Sequence, residues 1–261
     1  GTGGRILRSD FDAYLEQDNG RPAAGRVAER ETSEQKVIGV RRMIAERMSA
    51  AKREIPHFSY VEEIDVTELE ALRRHLNADR RDQAERLTLL PFICLAVVRA
   101  LEDFPQCNAT YDKDRNVVTR HGPVHLGIAT QTDDGLKVPV VRNSQRRDID
   151  DLAAEIRRVS DAARDNRIRR EELSGSTITV TSLGKLGGIV TTPVVNMPEV
   201  AIVGVNRALE RPMVVNGQVA VRLMMNLSSS FDHRFVDGFD AAAMIQGVKG
   251  LLEHPATLFM R

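Results

Sequence analysis

The chain has 261 residues, and its 37 Lys plus Arg against 37 Asp plus Glu leave a formal net charge of zero. That balance offers no surplus to hold a phosphate backbone or an anionic lipid surface, which speaks against general nucleic-acid binding. The longest apolar run, Leu89 to Val98, is about half a membrane span and contains Pro91, and no signal-peptide pattern opens the chain. With no Trp and only 4% aromatic residues, the core must be built from Val, Ile, Leu, Ala and Met. Two cysteines are too few for a disulfide framework or a cysteine zinc site. Cys94, inside Phe92-Ile93-Cys94-Leu95, reads as a buried, inert thiol. A soluble, intracellular chain is expected.

Ile6, Leu7, Phe11, Tyr14 and Leu15 recur at helical spacing and predict one short amphipathic helix. A lone helix cannot bury its apolar face, so it reads as the tail of a unit begun upstream. From Glu16 to Lys36 large apolar residues almost vanish, which predicts a flexible linker. Val40, Ile44 and Met48 share a helical face in a segment that stops before Pro56. His57 to Val66 reads as a strand, and Thr67-Glu68-Leu69-Glu70 as a capping box opening a helix to about Leu76. Thr88 to Phe104 reads as a buried helix with Pro91 in its first turn. Strands are expected near 124–131 and 136–141, split by Asp133-Asp134-Gly135. A helix over 148–163 follows, then strands near 177–182, 200–205 and 219–229, and a final helix over 238–252. Mixed strands and helices in this order indicate one α/β or α+β domain of roughly 225 residues, ample for a substantial core.

Six histidines are present, and none shows the i, i+4 pairing of a helical zinc site. Five read as structural or surface residues. His233 differs by its surroundings, Ser228-Ser229-Ser230-Phe231-Asp232-His233-Arg234-Phe235-Val236-Asp237-Gly238. It follows an apolar strand and precedes a helix, in a turn of the kind that often carries catalytic groups. A neutral imidazole there is suited to take a proton from a thiol or hydroxyl. Asp237 can fix the local geometry, and Gly238 permits a tight turn; the alternative is a polar turn that merely caps a helix. A second candidate is Thr179-Val180-Thr181-Ser182-Leu183-Gly184, a β-branched strand ending in hydroxyls that can donate to a developing oxyanion. No dinucleotide fingerprint, phosphate loop or Gly-x-Ser-x-Gly elbow is present.

Asp232-His233-Arg234-x-x-Asp237-Gly238 resembles the catalytic domain of the dihydrolipoamide acyltransferases, the core components of 2-oxo acid dehydrogenase complexes. Its wider His-x-x-x-Asp-Gly pattern is shared with chloramphenicol acetyltransferase. Ile55-Pro56-His57-Phe58 with Glu63-Ile64-Asp65-Val66-Thr67, Phe104-Pro105-Gln106-Cys107-Asn108-Ala109, Gly127-Ile128-Ala129 with Gly135-Leu136-Lys137-Val138-Pro139-Val140, and Pro198-Glu199-Val200-Ala201-Ile202 resemble further elements of that family, in its order. The resemblance covers residues 37–261. Residues 1–15 look like the C-terminal fragment of the family's peripheral-subunit-binding domain, and 16–36 like the linker behind it. It implies a chloramphenicol acetyltransferase-like two-layer α/β (α+β) sandwich with a mixed central sheet.

The activity implied is acyl transfer between the thiols of dihydrolipoamide and coenzyme A. His233 would be the general base, and Asp237 would hold the turn or an arginine. The family places a serine hydroxyl against the oxyanion; alignment on Leu183-Gly184 puts Thr181 at that position and Ser182 beside it, a departure with a stiffer rotamer. Thr181, Ser182 and Asp112 are the positions carried over toward coenzyme A, the lipoyl group being borne on an upstream domain. Implied partners are two further copies in a homotrimer, built into a cubic or icosahedral cage, with a decarboxylating dehydrogenase and lipoamide dehydrogenase held through the upstream binding domain. The implied location is the cytoplasm, or the mitochondrial matrix in a eukaryote. Ile55 to Asp65 looks closest to the branched-chain members, with pyruvate- or 2-oxoglutarate-type transfer as the alternative. An O-acetyltransferase acting on a small hydroxylated acceptor, or a purely structural core, are the competing readings. The apolar C-terminus, Leu251-Leu252 with Leu258, Phe259 and Met260, is expected either to meet a neighbouring copy or to fold back.

Overall fold

The periodic segments of the sequence become helices and strands close to where their spacing puts them. The computed structural model describes residues 3–18, 32–82 and 85–260, which fall into two units, Gly1–Val37 and Ile38–Arg261. In the first, helix α1 (Arg8–Asp18) takes up Phe11, Tyr14 and Leu15 of the periodic set, while Ile6 and Leu7 precede it, and the Asp10 carboxylate accepts the Leu7 N–H at 2.9 Å. The linker expected over 16–36 opens inside this helix, and 19–31 lie outside the described residues.

The second unit runs α2 (Gly39–Glu54), β1 (His57–Asp65), α3 (Thr67–Ala78), α4 (Leu89–Asp103), β2 (Ala109–Asp112), β3 (Val117–Arg120), β4 (Leu126–Thr132), β5 (Gly135–Lys137), β6 (Val140–Val141), α5 (Ile149–Arg164), β7 (Ile178–Ser182), β8 (Ala201–Val205), β9 (Leu209–Val215), β10 (Gln218–Asp232) and α6 (Gly238–Glu253). The main sheet has the order β1-β10-β8-β7-β4-β5, with β9 beside β10 and β6 beside β4. β7 lies parallel to β4 and β8, and the other pairs are antiparallel, so the central sheet is mixed.

Three local expectations are corrected. The capping box does not form. Thr67 is the first helical residue, and its hydroxyl and N–H both donate to Asp65 Oδ1, at 2.6 and 3.0 Å, while Glu70 pairs with Arg73 and Arg74. An ionised carboxylate two residues upstream is the stronger acceptor. The strand expected over 136–141 is broken in two at Pro139, which cannot donate to a ladder. The hairpin β9–β10 was not expected at β9, although Asn216-Gly217 is a hairpin turn with φ of 51° and 78°. Pro212 weakens the strand signal there, and β9 accordingly sits at an edge.

Helices cover one face of the sheet. α6 packs on β1, α5 on β4 and β6, and α4 lies between α5 and α6. α4 is buried along nearly its whole length, as a helix apolar on all sides must be. The sheet meets it with Ile64, Ile128, Val180, Val203, Met225, Leu227 and Phe231. Cys94 and Cys107 are free and buried here, and burial pushes both thiols up to about 12. Leu252 and Leu258 fold back into this core, while Phe259 and Met260 stay exposed. Among the described residues no helix is long and apolar enough to cross a membrane, and no group of three or more His, Cys, Asp or Glu could hold a metal ion.

The opposite face is small and polar. Thr179, Thr181, Gly204, Ser228 and Ser230 alternate with the core residues along their strands. Ala51 and Ile55, at the end of α2, cover part of it together with Val195 and Ile202. Within this layer Glu199 is 1% exposed. Its Oε1 accepts from Ser176, Thr179 and Asn196 (2.5, 2.9 and 2.7 Å), while Oε2 has no partner among the described residues. Burial pushes its carboxyl up to about 7, against the three donors that pull it down.

Two expected outcomes follow from this face. A methyl added at Gly204 would lie 2.6 Å from the Ser228 backbone oxygen and 3.2 Å from the Thr191 hydroxyl. Gly204→Ala should therefore lose about 1–3 kcal/mol of stability in urea unfolding, and a loss under about 0.5 kcal/mol would contradict so close an approach. Glu199 ionises near pH 4.5 when unfolded but only near 7 when folded. Folding thus loses stability as pH rises from 4.5 to 7, and no more above that. Glu199→Gln escapes this loss, so its stability relative to wild type should rise by about 3 kcal/mol between pH 4.5 and 8. A difference that stays flat with pH would contradict the assignment.

Candidate active site

The turn that carries His233 is built around an ion pair whose acid is buried. Asp232, the last residue of β10, is 1% exposed, and its carboxylate takes the Arg234 guanidinium in a two-pronged pair, Nε to Oδ1 at 2.9 Å and Nη2 to Oδ2 at 2.6 Å. Oδ1 also accepts the Arg234 N–H at 3.1 Å. The guanidinium lies 4.9 Å from the Tyr111 ring centroid and 5.0 Å from that of Phe235, a cation–π arrangement that holds Arg234 from its other side. Phe235 and Val236 N–H groups donate back to the Asp232 carbonyl, and the His233 N–H donates to Pro56 O at 3.2 Å. With its neighbours so tied, the His233 side chain projects into the open. It is exposed, and its ring has no hydrogen-bond partner among the described residues. The ring rests on Phe58, with centroids 4.3 Å apart and planes at 41°, and Phe58 stacks in turn on Phe231 at 5.5 Å.

Asp237 occupies the cap position of α6 without a side-chain cap hydrogen bond. Its carboxylate meets no arginine among the described residues, and Arg234 nearby is engaged by Asp232. Asp112 ends β2, and its Oδ1 accepts the Arg115 N–H at 3.0 Å, closing the turn into β3. Tyr111, one residue earlier, packs on Phe235 at 4.6 Å, so the hairpin bearing Asp112 flanks the His233 turn. A cavity of about 570 Å³ opens there, lined by Gln106, Val118, Arg120 and Phe235. His57 is structural: Nδ1 donates to Ile55 O at 2.9 Å and Nε2 accepts the Val195 N–H at 3.0 Å. That pair of bonds fixes one neutral tautomer, and burial pushes the pKa down.

Thr181 and Ser182 end β7 and point to opposite faces of the sheet. The Ser182 hydroxyl accepts the Gly184 N–H at 3.2 Å and so belongs to the local turn. The Thr181 hydroxyl, half-buried between Ala129 and Gly204 on the neighbouring strands, has no partner among the described residues. The loop behind it is tied to β10. Thr191 N–H donates to Ser228 Oγ at 3.2 Å, Ser228 donates to Asn206 Oδ1 at 2.7 Å, and Asn226 Nδ2 donates to Ile189 O at 2.9 Å.

The sheet register keeps the two candidates apart. Thr181 is level with Gly204, and Gly204 with Ser228, five residues short of His233 on β10. At about 3.3 Å per residue and 4.8 Å per strand, the two Cα atoms lie about 19 Å apart in one copy. Sequence reasoning found both groups but missed Asp232 and Phe58 as the supports of His233. An acid two residues before an arginine was a visible signal for the first; nothing local announces the second.

A sequence model described as 2-oxoacid dehydrogenases acyltransferase (catalytic domain) matches residues 29–260. The lipoamide acyltransferase component of the branched-chain alpha-keto acid dehydrogenase complex of Pseudomonas aeruginosa is 62% identical over 265 residues, covering 100% of this chain and 62% of the relative. The chain thus spans a little under two thirds of that relative's length. Among solved structures, the dihydrolipoamide acetyltransferase of Azotobacter vinelandii superposes with a TM-score of 0.83 at 31% identity, covering 98% of this chain and 99% of the other. That enzyme was studied for the roles of a serine, a histidine and an asparagine in its catalytic mechanism. The cubic core of a pyruvate dehydrogenase multienzyme complex gives 0.83 at 32% identity, covering 92% and 100%. A chloramphenicol acetyltransferase shares the fold at 16% identity and a TM-score of 0.52, covering 84% and 100%. By the family match and by full-chain identity, this chain belongs to the acyltransferases of the 2-oxoacid dehydrogenases and carries their catalytic domain.

Proposed function

We propose that this chain transfers an acyl group, of the branched-chain type, between the thiols of dihydrolipoamide and coenzyme A, at a site shared by two copies. One observation carries the reading. In the Azotobacter vinelandii enzyme the serine lies 52 residues before the histidine and the asparagine 4 after it. Thr181, His233 and Asp237 repeat those intervals. Thr181 thereby takes the serine position, and its unspent hydroxyl, against the engaged Ser182, supports it as the donor.

The chemistry then runs in two steps. His233 takes the proton of the attacking thiol, and the sulfur adds to the thioester carbonyl. The Thr181 hydroxyl donates to the resulting oxyanion. Collapse breaks the other carbon–sulfur bond, and the departing thiolate recovers the proton from His233. Since about 19 Å separates the two groups in one copy, His233 of one copy works with Thr181 of the next. Asp237 helps position the α6 end of the turn, and Asp112 and Ser182 border the coenzyme.

A homotrimer is the smallest closed ring we assign to this arrangement, assembled into a cage that serves as the core of the complex. Residues 1–15 are read as the end of a peripheral-subunit-binding domain, 16–36 as a linker and 37–261 as the catalytic domain. The lipoyl group arrives on an upstream domain, and the binding domain holds the decarboxylating dehydrogenase and lipoamide dehydrogenase. We place the protein in the cytoplasm. The branched-chain assignment rests on 62% identity to a branched-chain component against 31% to an acetyltransferase.

Mixing variants tests the shared site. His233→Ala should lose about 10²–10⁴-fold in transfer, and Thr181→Val should lower kcat with little change in KM. Mixed trimers of the two should regain part of the activity, because some interfaces carry both intact groups; verified mixed trimers without recovery would contradict sharing. Isobutyryl-CoA should be preferred over acetyl- and succinyl-CoA by about 10-fold or more, and preference for either of the others would overturn the acyl assignment.

A further inference from the structure

General-base histidines in hydrolytic triads are oriented by a hydrogen-bonded carboxylate that selects tautomer and ring plane. His233 has no such partner among the described residues: Asp232 is committed to Arg234, and Asp237 reaches neither ring nitrogen. Within one copy the side chain is exposed, so that copy's own packing does not confine it from all sides. Its backbone is held by the N–H bond to Pro56 and by the turn, but those bonds do not reach the imidazole. Among the described residues of one copy, the ring contact that the imidazole makes is with Phe58, 4.3 Å away.

Phe58 is itself fixed. It lies on β1, whose register pairs it with Phe231 of β10, and the two rings stack at 5.5 Å. Phe231 is fully buried in the helix-side core. Rigidity therefore passes from the core through Phe231 to Phe58 and ends on an exposed imidazole.

We propose that Phe58 is the positioning residue for His233: an aromatic shelf that sets the plane of the imidazole and leaves its edge nitrogens for the attacking thiol. This rests on the reading of His233 as the general base. The flat ring restricts rotation without occupying either nitrogen, which a carboxylate partner would do. It also shields one face of the imidazole from water. Misplacing a reacting group by about 1 Å can lose 10²-fold in rate, so the shelf should act on the chemical step and not on substrate binding.

Phe58→Leu, assayed in the full assembly with acyl-CoA and free dihydrolipoamide, should lower kcat by about 10- to 100-fold with both KM values within about twofold of wild type. Phe58→Tyr keeps the ring and should retain kcat within about threefold. Thermal unfolding reports whether each variant is folded, and Phe58→Met, a flexible filler of similar bulk, replaces the leucine variant should it fail to fold. A kcat within twofold of wild type in a folded variant lacking the ring would overturn the shelf. Equal loss in the tyrosine and leucine variants would do the same, as would a rise in KM with kcat unchanged. His233→Ala separates the two ideas. If that variant keeps its activity, the general-base reading falls; if it is inactive while Phe58→Leu is not, only the shelf falls.

Discussion

The register of β10 is the constraint on which the remaining arrangement depends. This fifteen-residue strand pairs with β1, β8 and β9, and its side chains alternate between two unlike faces. Met225, Leu227 and Phe231 enter the helix-side core; Ser228, Ser230 and Asp232 go the other way. A slip of one residue would put serines and an aspartate under α4 and α6, so the pairing is strongly specified. The same register sets Phe58 opposite Phe231, Gly204 opposite Ser228, and His233 just past the last paired residue. Core packing and the candidate site are thus two readings of one alignment.

The supports of the two candidate groups differ in kind. Around His233 they are an ion pair with almost no exposure on the acid side, two aromatic faces against its guanidinium, and a ring beneath the imidazole. Charge and aromatic area hold that turn, and neither restricts a ligand from approaching the exposed edge. Around Thr181 the supports are small residues and hydroxyls, Ala129 and Gly204 beside it and the chain from Thr191 through Ser228 to Asn206 behind the loop. Small neighbours leave the space that a donor to a passing carbonyl requires.

Much of this is legible in the sequence. Helices α2, α4, α5 and α6 and strands β1, β7, β8 and β10 follow from apolar spacing and from prolines and glycines at their ends, because burial on one side imposes a period on the sequence. His233 was legible through Asp232, Arg234, Asp237 and Gly238, a local pattern. What depended on partners distant in sequence was not. The Thr67–Glu70 motif looked like a cap, yet Asp65 competed for the same donors. β9 was hidden by Pro212 despite the Asn216-Gly217 turn. The burial of Glu199 among Ser176, Thr179 and Asn196, and the seat of His233 on Phe58, arise where segments far apart in the chain meet; no period or spacing in any one segment encodes them.

On the reading proposed above, one reactive group at each end of the sheet gives each copy a polarity, like a link with a hook and an eye. Copies joined hook to eye make heterologous contacts, which either close into a ring or continue without end. In an open string the first eye and the last hook stay empty, so a fragment of n copies holds one complete centre fewer than its number. A closed ring wastes none. Turnover per chain would then fall on dilution, by loss of neighbours and not of folding, and a solitary copy would hold no complete centre. Closure becomes a property that selection on catalytic rate alone can maintain.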